Sequence, residues 1–186
     1  MNIPIFLTLL RIVLIPLFVL MFYLPANWAY LATAIIFLLA AVTDWLDGYL
    51  ARIWSQTSQL GAFLDPVADK LVVVISLVLL VGEVHHSWLA IPAAVIVGRE
   101  IVVSALREWM AELGKRTSVA VSYVGKVKTA IQMVSILLML LGRGHGAAWG
   151  QGLINLGIVL LYLASVLTLW SMVMYIKAAW GEFKLS

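Results

Sequence analysis

Long stretches of the chain carry no Asp, Glu, Lys or Arg, and this feature restricts its fold more than any other. Residues 12–43 and 144–176 are two such stretches, and shorter ones cover residues 71–82, 87–98 and 129–142. Of the 186 residues, 64% are hydrophobic and 11% charged, whereas about 25% are charged in an ordinary soluble domain. So few polar side chains cannot cover the outside of a soluble fold. The chain is therefore predicted to be an all-α integral membrane protein.

Six transmembrane helices account for these stretches, if the three shorter ones extend through charged residues that face protein or water rather than lipid. The polar breaks between apolar segments set the boundaries. The predicted helices lie near residues 5–24, 29–53, 61–82, 89–111, 126–143 and 152–177. No repeat or linker divides the sequence, so residues 1–186 are predicted to form a single membrane-embedded domain.

Basic residues favour one side of the predicted membrane. An even number of spans puts both termini on one side, and the opposite loops carry only Arg143. Loops on the side of the termini carry Arg52, Arg107, Lys115, Arg116 and Lys126. The positive-inside rule then predicts that both termini are cytoplasmic. The chain is expected to be a multi-pass protein of the cell inner membrane, in contact with the lipid bilayer. These membrane flanks explain the formal net charge of +3 without a nucleic-acid partner.

Every aspartate of the chain lies within residues 44–69. Asp44 and Asp47 are three residues apart and Asp65 and Asp69 four apart, so each pair shares one helix face. If residues 53–60 form the turn of a helical hairpin, the two acidic faces converge near the cytoplasmic boundary, where carboxylates repel each other unless cations balance them. One or two divalent ions would do so. Hard oxygen ligands without Cys or His nearby favour Mg²⁺ or Mn²⁺ over Zn²⁺.

The acidic segment resembles the signature of the CDP-alcohol phosphotransferases, Asp-x2-Asp-Gly-x2-Ala-Arg-x8-Gly-x3-Asp-x3-Asp. All eight fixed positions are present, as Asp44, Asp47, Gly48, Ala51, Arg52, Gly61, Asp65 and Asp69. The resemblance implies the six-helix membrane fold of that family, usually homodimeric. It also implies that a CDP-linked alcohol and two metal ions, Mg²⁺ or Mn²⁺, meet at the cytoplasmic interface, where a phosphoalcohol group is transferred and CMP is released.

Other stretches are similar to one branch of this family, whose members join CDP-diacylglycerol to sn-glycerol 3-phosphate. These stretches are residues 2–11, 99–109 and 125–129, and the chain departs from many relatives at Ile5, where they carry an asparagine. The branch implies an enzyme that transfers the phosphatidyl group of CDP-diacylglycerol to glycerol 3-phosphate. Synthesis of cardiolipin, phosphatidylserine or phosphatidylinositol phosphate is an alternative, because those relatives share the aspartate signature.

The resemblance also implies roles for individual residues. The metal ligands would be Asp44, Asp47, Asp65 and Asp69. The residues that bind CDP-diacylglycerol would be Thr8, Arg11, Asp47, Gly48, Ala51, Arg52, Ser58 and Gly61. Asp69 would lie beside the metal and face the acceptor, as the catalytic general base. The alternative for Asp69 is a fourth metal ligand with no role in proton transfer.

A group of basic residues lies on either side of the fourth predicted turn, on the face expected to carry the acidic site. Some of these residues lie within or at the ends of apolar segments, where an unpaired cation is costly, and an anionic acceptor would neutralise them. Pairing with Glu100 or Glu108 is the alternative for Arg99. The candidate residues for binding glycerol 3-phosphate are Arg99, Arg107, Arg116, Lys126 and Lys128.

Two other classes of membrane protein are disfavoured. An ion transporter needs polar groups along its whole path, whereas the four aspartates are predicted to lie at one depth near one interface. A structural subunit with buried ion pairs would need a basic partner for each aspartate. Within residues 44–69 and their immediate neighbours, only Arg52 and Lys70 are available.

Overall fold

The computed structural model describes residues 3–54, 59–84, 86–112, 123–144 and 147–183, and within these ranges the chain is helical apart from short connections. A short 3-10 helix, Ser87–Leu89, leads into the fourth α-helix. The six α-helices are α1 (Ile3–Tyr23), α2 (Ala29–Trp54), α3 (Gln59–Glu83), α4 (Ala90–Glu112), α5 (Tyr123–Gly142) and α6 (Ala147–Phe183). Each corresponds to one predicted helix.

The last helix is the one whose boundaries differ most from the prediction. α6 begins at Ala147 rather than near residue 152, and it continues to Phe183 rather than ending near residue 177. Gly150, Gln151 and Gly152 lie inside the first turns of α6. The end of α5 packs closely against this turn, since a Cβ added to Gly142 would lie 2.7 Å from the Gly150 carbonyl oxygen.

An apolar core runs along the inside of the bundle. The most extensive helix pairs are α1 with α2 and α5 with α6, and the contacts of α4 with α6, α2 with α5 and α1 with α3 join these pairs. The buried core includes Phe37, Leu77, Leu80, Ile96, Ile136 and Leu161. Every one of the six α-helices therefore packs against at least two others.

A glycine allows α5 and α6 to pack closely at Gly157. A Cβ built on Gly157 would lie 2.5 Å from Cγ of Met139 and 2.9 Å from the Ser135 carbonyl oxygen. The Ser135 hydroxyl donates a 2.7 Å hydrogen bond to the Gly157 carbonyl, so the two helices are also linked by a buried polar contact. Small residues at such positions let helix backbones approach, and the hydroxyl fixes their relative register.

Arg143 joins three helices at the end of the bundle away from the aspartates. Its Nη2 donates to the Phe22 carbonyl oxygen at 3.0 Å, and it lies 3.3 Å from Oε1 of Glu83. The guanidinium carbon also lies 3.5 Å from the centre of the Phe22 ring. The C-terminal ends of α1 and α3 are thus tied to the residue that follows α5.

Many apolar side chains are exposed on the outer surface of the bundle. Among those more than half exposed are Val13, Leu20, Val78, Ile101, Val159, Val166 and Trp170, which lie on four different helices. By length and composition, one described segment, Trp149–Met174 of α6, is apolar enough to cross a bilayer. Shorter apolar helical segments cover Leu7–Tyr23, Ala29–Asp44 and Val127–Gly142.

Adding one methyl group at the α5–α6 contact should destabilise the protein. We expect Gly157→Ala to lower the free energy of unfolding by about 1–3 kcal/mol, because the new Cβ meets a backbone carbonyl oxygen that cannot move without shifting α5. Gly152→Ala is the matched control on the same helix, since nothing lies within 4 Å of its added Cβ. Thermal unfolding of the two detergent-purified variants measures the difference. Equal melting temperatures would contradict the packing argument.

Candidate functional site

The four aspartates lie on two helices that contact each other. Asp44 and Asp47 belong to α2, Asp65 and Asp69 belong to α3, and the intervening residues 55–58 lie outside the described part. Helical geometry places each pair on one helix face, as predicted. The structure describes the side chain of Asp44 but not those of the other three, so convergence of all four carboxylates stays a prediction.

The Asp44 carboxylate forms an ion pair with a buried arginine. Nη1 of Arg11 on α1 lies 3.2 Å from Oδ1 of Asp44, and the exposed fractions of the two side chains are 1% and 42%. Thr8, one turn earlier on α1, is also buried. A guanidinium inside an apolar bundle requires a counter-charge or hydrogen-bond acceptors, and Asp44 supplies part of that requirement. The structure thus places Arg11, predicted to bind the nucleotide substrate, against one of the predicted metal ligands.

A lysine beside Asp69 connects α3 to α4. The ammonium group of Lys70 donates a hydrogen bond to the Ser104 hydroxyl. Ser104 in turn donates to the carbonyl oxygen of Glu100 at 2.7 Å. The helix that carries Asp65 and Asp69 is therefore fixed to α4, the helix that carries Arg99 and Arg107.

Three helices bring Arg99, Lys128 and Ser171 together. Nη2 of Arg99 on α4 lies 3.4 Å from Oγ of Ser171 on α6, and Nζ of Lys128 on α5 lies 3.5 Å from the same oxygen. All three side chains are buried. Nη1 of Arg99 also lies 2.6 Å from Oε1 of Glu100, which is the pairing considered as the alternative for this arginine. Two predicted acceptor-binding residues are thus neighbours, and one of them already has a carboxylate partner.

The other predicted site residues are placed only by their backbones or lie outside the described ranges. Gly48, Ala51 and Arg52 lie in the last turns of α2, and Gly61 lies in the first turn of α3. Arg107 lies in α4 and Lys126 in α5. Ser58 and Arg116 fall outside the described residues. For all of these, the predicted contacts with substrate stay predictions.

The donor chemistry of the acidic residues fits a hard divalent cation. Aspartate oxygens are the ligands that Mg²⁺ and Mn²⁺ prefer, and the two helices that carry them pack together. Among the side chains that the structure describes, no three His, Cys, Asp or Glu residues converge. Of the four predicted metal ligands, Asp44 is the one whose side chain the structure describes.

One histidine is described at the opposite end of the bundle. His86 is exposed and lies 3.1 Å, through Nε2, from Nε2 of Gln151 on α6. His85 and His145 lie outside the described residues.

Sequence reasoning missed two serines, Ser104 and Ser171. Ser104 accepts a hydrogen bond from Lys70, and Ser171 accepts from Arg99 and Lys128. Each serine lies on a different helix from the cations that donate to it. A single serine in an apolar helix carries no signal of such a role, because the contact depends on how neighbouring helices are rotated about their axes. The charge of Lys70 and Lys128 was visible in the sequence, but the acceptors of their hydrogen bonds were not.

Comparison with known proteins identifies relatives over almost the whole chain. Residues 1–175 match the family described as CDP-alcohol phosphatidyltransferase. A protein of Yersinia pestis (strain Pestoides F) is 56% identical over 182 residues, which are 98% of this chain and 97% of that protein. A protein of Sodalis glossinidius (strain morsitans) is 58% identical over 179 residues, 96% of this chain and 95% of its own length. Both are named CDP-diacylglycerol–glycerol-3-phosphate 3-phosphatidyltransferase.

The Arg11–Asp44 pair should contribute to stability as well as to the site. We expect Asp44→Asn to lower the free energy of unfolding by about 1–3 kcal/mol, less than the roughly 3–5 kcal/mol of a fully buried pair, because Asp44 is partly exposed. Arg11→Met should also destabilise the protein. Denaturant titration in mixed micelles with chelator present measures these changes without a contribution from bound metal.

The double variant tests the pairing itself. Since removal of both charges leaves neither unpaired, we expect the double variant to be more stable than the sum of the single effects predicts, by at least about 0.5 kcal/mol. Strict additivity would show that the two side chains do not stabilise each other.

Proposed function

Because the chain belongs to the CDP-alcohol phosphatidyltransferase family, we propose that it transfers the phosphatidyl group of CDP-diacylglycerol to sn-glycerol 3-phosphate. The products would be phosphatidylglycerophosphate and CMP, as a step of phospholipid biosynthesis. The observation that carries this proposal is the identity of more than half over nearly the full length of relatives that bear the name of this activity.

We further propose that the six helices form one domain that spans the bilayer. The wide distribution of exposed apolar side chains supports this, because a soluble protein rarely leaves such large surfaces uncovered. Trp28, Trp88 and Trp149 are each more than half exposed near helix ends, as expected for residues at a membrane interface. The proposed arrangement has both termini and the active site on the cytoplasmic side of the inner membrane, and a homodimer as the working unit.

The acidic end of α2 and α3 is the proposed site for the nucleotide substrate. Asp44, Asp47, Asp65 and Asp69 would hold two Mg²⁺ or Mn²⁺ ions, consistent with the general dependence of this family on divalent metals. Such ions, when bound, supply positive charge that activates the pyrophosphate and stabilises the departing CMP. The donor would also contact Thr8, Arg11, Asp47, Gly48, Ala51, Arg52, Ser58 and Gly61.

The basic residues predicted to bind glycerol 3-phosphate form the proposed site for the acceptor phosphate. Lys128 and Arg99 are buried, and both contact the hydroxyl oxygen of Ser171. The charged nitrogen atoms of both side chains can bind phosphate oxygens. Arg107, Arg116 and Lys126 would complete the site. The Lys70–Ser104 contact supports the proximity of the proposed nucleotide site and the proposed acceptor site, because it joins the helix of Asp69 to the helix of Arg99.

In the proposed reaction, the primary hydroxyl of glycerol 3-phosphate attacks the phosphorus that carries diacylglycerol. A bond forms between the hydroxyl oxygen and this phosphorus, the bond from phosphorus to the bridging oxygen breaks, and CMP leaves with the electron pair. The hydroxyl proton passes to the carboxylate of Asp69, acting as general base. Lys70, the next residue, is held by Ser104 and so helps to fix the local position of α3.

Acceptor competition tests the proposed activity. Detergent-purified protein is given CDP-diacylglycerol and Mg²⁺ with glycerol 3-phosphate, serine, inositol phosphate and phosphatidylglycerol together, and CMP and the lipid products are measured. We expect phosphatidylglycerophosphate as the main product and no CMP release in strong chelator. A different lipid product would assign another acceptor, and full activity in chelator would contradict the metal site.

Replacement of Asp69 separates proton transfer from metal binding. We expect Asp69→Asn to reduce kcat by roughly 10²–10⁴-fold, the usual contribution of a general base, with binding of CDP-diacylglycerol and Mn²⁺ largely retained. Asp47→Asn is the matched comparison, because it should weaken metal binding. Loss of Mn²⁺ affinity in proportion to activity in Asp69→Asn would instead make Asp69 a metal ligand, and near-normal turnover would exclude both roles.

A further inference from the structure

Two buried cations from different helices meet at one hydroxyl. Arg99 on α4 and Lys128 on α5 both point a charged nitrogen at Oγ of Ser171 on α6, at 3.4 and 3.5 Å. Ser171 itself is 3% exposed. Two like charges repel when they are this close in an apolar interior, so their proximity requires groups that hold them in place.

The hydrogen-bonding capacity of Ser171 suits this task. Its hydroxyl proton is donated to the carbonyl oxygen of Thr168, one turn earlier on α6, at 2.9 Å. A hydroxyl has one proton and two lone pairs, so both lone pairs remain to accept from the two cations. The bond to Thr168 fixes the rotation of the hydroxyl, and the oxygen therefore offers its acceptor side to Arg99 and Lys128.

The contacts of the two cations with Ser171 are long. N–H···O hydrogen bonds in proteins are usually about 2.7–3.2 Å, and bonds to ionised phosphate oxygens lie near the short end of that range. The hydroxyl thus orients the two nitrogens without binding them tightly. Arg99 is oriented further by Glu100 at 2.6 Å.

We propose that Ser171 is a positioning residue for the acceptor: it sets the separation of Arg99 and Lys128, so that the phosphate of glycerol 3-phosphate contacts both when it binds. This rests on the function proposed above. The last helix would then take part in selecting the acceptor, through a residue that need not touch the reacting atoms. Preorganised charges of this kind lower the cost of ordering two long side chains on binding.

Replacement of the hydroxyl tests the proposal. Ser171→Ala removes one oxygen atom, and we expect the KM for glycerol 3-phosphate to rise about five- to tenfold, the effect of losing one ordinary hydrogen-bonding group. The KM for CDP-diacylglycerol and the melting temperature should stay close to those of the wild type. Inorganic phosphate is the second probe, and its inhibition constant against glycerol 3-phosphate should rise by a similar factor.

Two further variants act as controls. Ser171→Thr keeps a hydroxyl and should retain most of the affinity for glycerol 3-phosphate. Ser165→Ala removes a buried hydroxyl of the same helix that donates to its own backbone, at Tyr162, and should leave both KM values unchanged. A threonine variant that binds glycerol 3-phosphate no better than the alanine variant would show that the hydroxyl is not the cause.

The outcomes separate this inference from the function on which it rests. If the wild-type protein does not use glycerol 3-phosphate, the proposed function is wrong. If it does, and Ser171→Ala leaves both the KM for glycerol 3-phosphate and the inhibition by phosphate unchanged, the positioning role is wrong. Equal increases in both KM values with a lower melting temperature would also overturn it, because that result describes a residue that only stabilises the fold.

Discussion

A charged side chain inside an apolar helix bundle must find its partner on another part of the chain, and this requirement organises one end of the molecule. Arg11 reaches from α1 to Asp44 on α2, Lys70 from α3 to Ser104 on α4, and Lys128 from α5 to Ser171 on α6. Each contact crosses between two helices. Because a buried charge without such a contact is costly, these pairs fix the rotation and axial position of the helices that carry them.

The two ends of the bundle differ in the kind of contact that holds them. At the end away from the aspartates, Arg143 binds a backbone carbonyl, a carboxylate and an aromatic ring, and these contacts link the ends of helices. At the other end, the partners include a partly exposed carboxylate and two hydroxyls, which can share their cations with a ligand. Such sharing suits an end proposed to bind a metal-linked nucleotide and an anionic acceptor.

Much of the fold could be predicted, since the lengths of charge-free sequence set the number and rough extent of the helices. The start of α6 differs from the prediction, since the helix begins at Ala147 rather than near residue 152, and the Gly150 carbonyl oxygen lies at a close contact with the end of α5. The role of Arg11 at Asp44 and of Ser171 between two cations could not be predicted, because both depend on helix rotation. Metal binding by all four aspartates stays a prediction, and the side chains of Asp47, Asp65 and Asp69 are not among those described.

The contact between Ser135 and Gly157 has a consequence for how this protein can change during evolution. Lys128 and Ser171 lie on the same two helices as that contact, so the axial offset that it sets also sets how their side chains meet. A larger residue at Gly157 would slide or separate the helices along their whole shared length. If the proposed acceptor site is under selection, that selection therefore extends to a glycine several helical turns away, where a substitution would alter substrate use.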